Sequence, residues 1–173
     1  MNMHIAVASD HAGFWLKGKV VQYLSGTGHT VEDLGTYDTT PVDYPDFAEA
    51  VANAIVNERV QRAVLICGSG VGASVAANKF AGIRAGLCHD TYSAHQGVEH
   101  DHMNVLVLGG RVIGEEMVHE LVGAFVGAQT SQEERHLRRI AKIDEIEARC
   151  GLKLLSESPN RNQIQQAKER YAK

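Results

Sequence analysis

No run of apolar residues in this sequence approaches the roughly 20 in succession that a membrane-spanning helix needs. Basic charge is not in excess either. Lys and Arg number 17 against 21 Asp and Glu, a formal net charge of −4, which argues against nucleic acid or an anionic membrane as an obligate partner. Cysteine is sparse: Cys67, Cys88 and Cys150 make an odd count, so reduced thiols in a cytoplasm are expected rather than disulfides. The opening MNMHIAVASD turns to charge after an apolar run too short for a secretion signal, and reads as a first strand. Internal repeats and low-complexity tracts are missing. What is present is one domain's worth of chain, 173 residues of which 44% are hydrophobic, enough to fill a core.

Short apolar runs alternate with helical patterns. Strands are expected at His4–Ala8, His29–Asp33, Ala63–Cys67, Arg84–Cys88 and Asn104–Leu108. In DFAEAVANAIVNERV, Phe47, Val51, Ala54 and Ile55 share one face of a helix that ends in charge at Glu58. EEMVHELVGAFVGAQ is a further amphipathic helix. In SQEERHLRRIAKIDEIEARC, Ser131 precedes Glu134 at capping-box spacing, and Gly151 is expected to stop the helix. Residues 1–150 are expected as one domain and 151–173 as a polar extension, with a helix starting at Ser158 ahead of Pro159. Strand–helix alternation with strands apolar on both faces implies a parallel sheet covered on both sides. Such sheets bind ligands beyond the carboxyl ends of their strands, where strand order reverses.

The residues at those ends are chemically loaded. ASDHAG places Asp10 and His11 after the first strand, either as a helix cap and a surface residue or as an acid and an imidazole in a crevice. CGSGVGA follows the third strand. Its Gly68, Gly70 and Gly72 allow a tight turn with inward N–H groups, and the helix from about Val71 adds its positive end, together an anion nest. A nest of donors favours the thiolate of a neighbouring sulfur, which distinguishes Cys67 from a small buried hydrophobe. A rival reading takes Gly68, Gly70 and Ala73 as a dinucleotide fingerprint with Asp90 on a ribose hydroxyl. It is weakened because the fingerprint normally lies in the first strand–helix unit. No G-K-[ST] follows, which excludes a P-loop. His95, Glu99, His100, Asp101, His102 and Asn104 crowd before the fifth strand without helix-spaced H-E-x-x-H or a nearby cysteine, so no metal is expected. Arg111 follows that strand. Arg135 and Arg139 stand one turn apart, either a solvated basic face or a fork for a phosphate.

SDHAG, DYPDFA, CGSGVGASVAANKFAGIRA and NVLVLGGRVIG, in this order over roughly residues 3–148, resemble the ribose-5-phosphate isomerase B family, which includes galactose-6-phosphate and allose-6-phosphate isomerases. The resemblance implies a three-layer α/β/α Rossmann-like sandwich on a five-stranded parallel sheet. It also implies a homodimer, or a tetramer built from it, with active sites between subunits and no metal or other cofactor. It implies that Cys67 is the base moving a proton between C1 and C2 through a cis-enediolate. Ser69 and the amides of Gly70, Val71 and Gly72, beside Gly68, would stabilise the oxyanion. His100 would open the sugar ring with Asp10, while His11, Tyr44, Arg111, Arg135 and Arg139 would hold phosphate, hydroxyls and sugar, some from the other subunit. Two positions depart from the pattern. Asp101 stands where many relatives carry asparagine, and a carboxylate cannot donate a hydrogen bond unless protonated. Ser69 replaces a common threonine. Relatives that use a nearby glutamate instead of the cysteine find no counterpart here, where Ala73 occupies that neighbourhood. The expected substrate is ribose 5-phosphate. The alternatives are another phosphosugar, such as a six- or four-carbon phosphate, or a non-catalytic nucleotide- or phosphosugar-binding module.

Overall fold

The structure, a computed structural model, describes residues 2–156. Five strands and six helices follow one another: β1 (His4–Ser9), α1 (Phe14–Gly26), β2 (Thr30–Asp33), α2 (Tyr44–Val56), β3 (Arg62–Cys67), α3 (Val71–Ala77), β4 (Ala85–Leu87), α4 (Thr91–Asp101), β5 (Val105–Gly109), α5 (Glu115–Gly127) and α6 (Glu134–Ser156). All strand pairs are parallel, in the order β2-β1-β3-β5-β4. The α/β/α sandwich with a five-stranded parallel sheet is as expected.

The period-two alternation of the strands sorts the core into two layers. Ile5, Val7, Val64, Ile66, Leu106 and Leu108 pack with Leu16, Val20, Val98 and Phe125 from α1, α4 and α5. Ala6, Ala8, Ala63, Leu65, Val105 and Val107 face the other way, against Ala48, Val51 and Ala52 of α2 and Ala73 and Ala77 of α3. This second layer is rich in alanine, the first in Leu, Ile and Phe. The central strands are therefore buried on both faces, which is why they read as continuous apolar runs.

The sheet order turns twice. From β1 the chain first goes outward to β2, then returns across β1 to β3. It then passes to the far edge for β4, and β5 comes back between β3 and β4. The carboxyl ends of β1, β3 and β5 flank these reversals.

Three local expectations need correction. Helix α2 begins at Tyr44, ahead of the expected start, with Pro45 and Asp46 in its first turn, where a fixed φ and a negative charge are both favourable. Ser131 is not a cap residue of α6: its Oγ accepts from Glu133 N–H two residues on, and the helix opens at Glu134. Gly151 does not stop α6, which runs on to Ser156; a helical glycine costs only about 1 kcal/mol against alanine, and no proline follows before Pro159. The helix expected from Ser158 lies outside the described residues. Leu137 closes one compact unit and Arg138 opens another, within α6.

Candidate active site

Three loops meet at the carboxyl ends of β1, β3 and β5. Gly110 N–H donates to Cys67 C=O at 2.8 Å and Arg111 N–H to Gly68 C=O at 3.0 Å, tying the β5 loop to the β3 loop. Asp10 N–H donates to Ile66 C=O at 3.1 Å, which ties in the β1 loop. The Asp10 carboxylate is buried and closes a turn on itself, with Oδ1 accepting from Ala12 N–H at 2.9 Å and Gly13 N–H at 3.0 Å. Gly13, not Asp10, is the cap of α1. His11 is held from outside the turn by Val42 N–H, which donates to Nδ1 at 3.2 Å. With Nδ1 accepting, a neutral His11 carries its proton on Nε2.

Cys67 closes β3 at 5% exposure, and its Sγ accepts the N–H of Gly70 at 3.1 Å. Gly70 has φ +82°, and a Cβ there would lie 2.4 Å from Leu87 Cδ1. Only glycine gives this turn. Val71 N–H points to Ser69 Oγ at 3.4 Å, so two of the three amides expected to serve an oxyanion already have partners within the loop. Gly72 has a different reason to lack a side chain: a Cβ would lie 2.7 Å from Tyr44 Cζ. The Tyr44 ring, at the first residue of α2, thus lies over the β3 loop. The Arg111 side chain passes beside Gly68, whose added Cβ would sit 3.8 Å from Arg111 Cδ and 3.6 Å from Ala12 Cβ. Asp10, His11, Tyr44, Cys67, Gly68, Ser69, Gly70, Val71, Gly72 and Arg111 therefore form one cradle.

His100, Asp101 and Arg135 are not in that cradle. Helix α4 starts at the carboxyl side of the sheet and runs back, about 16 Å for its 11 residues. His100 thus lies near the amino side, where Asn104 C=O accepts from Ala63 N–H. From Ala63 to Cys67, β3 covers about 13 Å. At that amino side a second cluster forms. His100 stacks on His136 with ring centroids 3.9 Å apart and planes 16° from parallel. Its Nδ1 is 2.9 Å from Gln96 Nε2, and Gln96 Nε2 donates to Asp101 Oδ2 at 3.3 Å. Arg135 Nε lies 2.8 Å from Glu133 Oε2 and donates to His136 Nε2 at 3.1 Å. Ser131 N–H donates to Glu99 C=O at 2.8 Å, pinning this segment to α4. Arg139 is an exposed residue of the second unit.

Gln96, Glu133 and His136 went unread in the sequence. Gln96 had a signal, its i,i+4 spacing from His100; His136 had none beyond adjacency to Arg135, since the stack joins residues 36 apart. Asp90 serves another purpose than a ribose contact. Its Oδ1 caps α4 by accepting from Ser93 N–H at 2.7 Å, a bond that holds the carboxyl below its ordinary range. It follows β4, which is separated from β3 by β5. Among the described residues, no group of three or more His, Cys, Asp or Glu side chains is placed to hold a metal ion, and no helix is long and apolar enough to cross a membrane.

Fold and cradle together define a class: a Rossmann-like α/β protein with a thiol, a glycine loop and polar side chains at the ends of its central strands. Comparison with known proteins carries this further. The model of the Ribose/Galactose Isomerase family matches residues 5–143. "Ribose-5-phosphate isomerase B" of Escherichia coli is 46% identical over 145 residues, covering 84% of this chain and 97% of that protein. "D-erythrulose-4-phosphate isomerase" of Pectobacterium atrosepticum is 43% identical over 130 residues, 73% and 84% of the two chains. The crystal structure of a ribose 5-phosphate isomerase from Thermotoga maritima superposes with TM-score 0.80 at 46% identity, covering 84% of this chain and 99% of that one. The chain belongs to the Ribose/Galactose Isomerase family, as its motifs suggested, and is an isomerase of sugar phosphates by that membership.

Proposed function

We propose that the enzyme interconverts ribose 5-phosphate and ribulose 5-phosphate, with Cys67 as the base. The observation that carries this reading is the Cys67 sulfur itself, fixed at the end of β3 by Gly70 N–H, with Ser69, Tyr44 and Arg111 in the same cradle. The thiolate removes the proton on C2 of the open-chain aldose and returns it to C1, while the C2 hydroxyl proton passes to the C1 oxygen, which leaves a carbonyl at C2 and a hydroxyl at C1. Between these steps the negative charge rests on an enediolate oxygen, which Ser69 Oγ and the Gly72 amide stabilise. Donors fixed in advance stabilise such charge more than mobile water does. Ring opening comes first: the C1 hydroxyl proton passes to the ring oxygen as the C–O bond breaks. Asp10 and His100 are assigned to that transfer, Arg111 and Arg135 with His11 to the phosphate and hydroxyls.

One chain cannot complete this site, because Cys67 and His100 stand at opposite ends of the sheet. The complete site takes its cradle from one copy and its His100–Arg135 cluster from a second, in a homodimer whose active sites lie between subunits. The three unpaired thiols suit a reducing cytoplasm. A coupled isomerase assay with four-, five- and six-carbon aldose phosphates tests the reading. The five-carbon substrate is expected to show the highest kcat/KM, and Cys67→Ala to lower its kcat at least a hundredfold, roughly the contribution of a general base, with sugar-phosphate binding retained. Retention of most turnover by Cys67→Ala removes the proposed base.

A further inference from the structure

Gln96 stands on α4 one turn before His100, and its side-chain nitrogen serves two neighbours at once. Nε2 is 2.9 Å from His100 Nδ1 and donates to Asp101 Oδ2 at 3.3 Å. A primary amide nitrogen has two hydrogens to give and nothing to accept with, whereas an ionised carboxylate only accepts. Turning the amide over would set its carbonyl oxygen against the Asp101 carboxylate, so Asp101 fixes which end of Gln96 faces inward. The second N–H then falls on His100 Nδ1, which must offer a lone pair. A neutral imidazole accepting at Nδ1 carries its proton on Nε2. The stack on His136, 3.9 Å between centroids, holds the plane of the ring in which this bond is made.

We propose that Gln96, oriented by Asp101, is a positioning residue that sets the tautomer of the His100 imidazole, with the proton on Nε2. On the other side of the ring, Glu99 Oε2 lies 3.6 Å from His100 Nε2, where this tautomer places the proton. Asp101, the departure from the family pattern, thereby acquires a role that requires no hydrogen-bond donation of its own. An asparagine at 101 could present either its oxygen or its nitrogen to Gln96 and would leave both amide orientations open.

The consequence for catalysis rests on the reading that His100 handles ring opening. An Nε2–H serves as donor to the ring oxygen of a closed sugar. A four-carbon aldose 4-phosphate cannot form a five-membered ring through its phosphorylated terminal oxygen and has no such need. Gln96→Leu is therefore expected to lower kcat for ribose 5-phosphate about tenfold, within the range of an acid–base contribution, and to change turnover of the four-carbon substrate less than twofold.

The tautomer itself is read without turnover. The full-length protein, labelled with nitrogen-15 in its histidines, is examined by two-bond nitrogen–proton correlation at pH about 8, where an ordinary imidazole is neutral. The His100 signals are assigned by their loss in His100→Asn. Wild type is expected to show the proton on Nε2. Gln96→Glu, which presents an acceptor, is expected to move it to Nδ1, and Asp101→Asn to give a mixture. The unchanged signals of the other histidines report that each variant is folded. A wild-type proton on Nδ1, or a Gln96→Leu spectrum identical to wild type, overturns the proposal even if ribose 5-phosphate is a substrate. The expected tautomers in a protein inactive on every sugar phosphate would leave the proposal standing and remove the functional reading instead.

Discussion

Replacing Gly70 by alanine tests whether the β3 loop is held by backbone geometry. At φ +82° any L side chain is strained, which costs about 1–2 kcal/mol. The new Cβ would also stand 2.4 Å from Leu87 Cδ1 and 3.1 Å from the Leu108 carbonyl carbon. The first is the tip of a movable side chain and the second is backbone of the central β5, so relief is partial. Overpacking of this kind costs about 1–3 kcal/mol. The total expected loss is roughly 2–5 kcal/mol, or roughly 4–20 °C in Tm for a domain of this size. Urea denaturation and thermal melts measure it. A double-mutant cycle separates the parts. In a Leu87→Ala background the alanine at 70 should cost about 1 kcal/mol less than in wild type, because the side-chain clash is gone and the backbone strain remains. The same substitution moves the amide that bonds the Cys67 sulfur, so kcat/KM should fall at least about tenfold. A Gly70→Ala protein within about 0.5 kcal/mol of wild type, or one showing no coupling to Leu87, would refute the reasoning.

Lys17 is buried on α1 and its Nζ meets both carboxylate oxygens of Asp33, at 2.5 and 2.7 Å, with the acid partly exposed. Asp33→Asn strips the partner from a buried ammonium and should cost roughly 3–5 kcal/mol. Lys17→Met removes the charge and fills its space, and should cost less than about 1.5 kcal/mol; the reverse order in chemical denaturation would contradict a buried ion pair. Burial, with Asp90 adding, pushes the Cys88 thiol up to about 11 from an ordinary 9.0. Folding thus favours its neutral form, and that stability is complete below pH about 9 and lost as pH rises to about 11. Wild type should lose stability over this window more steeply than Cys88→Ala, and equal slopes would rule the linkage out.

Much of the fold was legible because the physics of a covered parallel sheet leaves marks in the chain. Ile5–Ala8, Ala63–Cys67 and Val105–Leu108 are buried on both faces and read as strands without reference to anything distant. The glycine loop after β3 and the Asp10–His11 pair after β1 were legible for the same reason, since they end such runs. Helix ends were harder. Ser131 has capping-box spacing, yet its hydroxyl found a nearer N–H, and Gly151 is tolerated where neighbouring residues sustain the helix. Strand order was not legible at all. That β5 inserts between β3 and β4, and that α4 returns His100 to the amino side, follow from pairings between residues far apart in the chain. The stack of His100 on His136 depends on that placement, whereas the Gln96 bridge is local to α4, where its i,i+4 spacing from His100 was its signal.

The central claim is that Cys67 and His100 of different copies share one active site. Subunit complementation tests it directly: Cys67→Ala and His100→Asn, each nearly inactive alone, are unfolded together in equal amounts and refolded as mixed dimers. Every mixed dimer then holds one site with both residues intact and one with neither. With random pairing, about a quarter of wild-type activity is expected, since half the dimers are mixed and each has one working site of two. A mixture as inactive as its two components, with mixed dimers demonstrably formed, would place both residues in the same subunit's site and contradict the account.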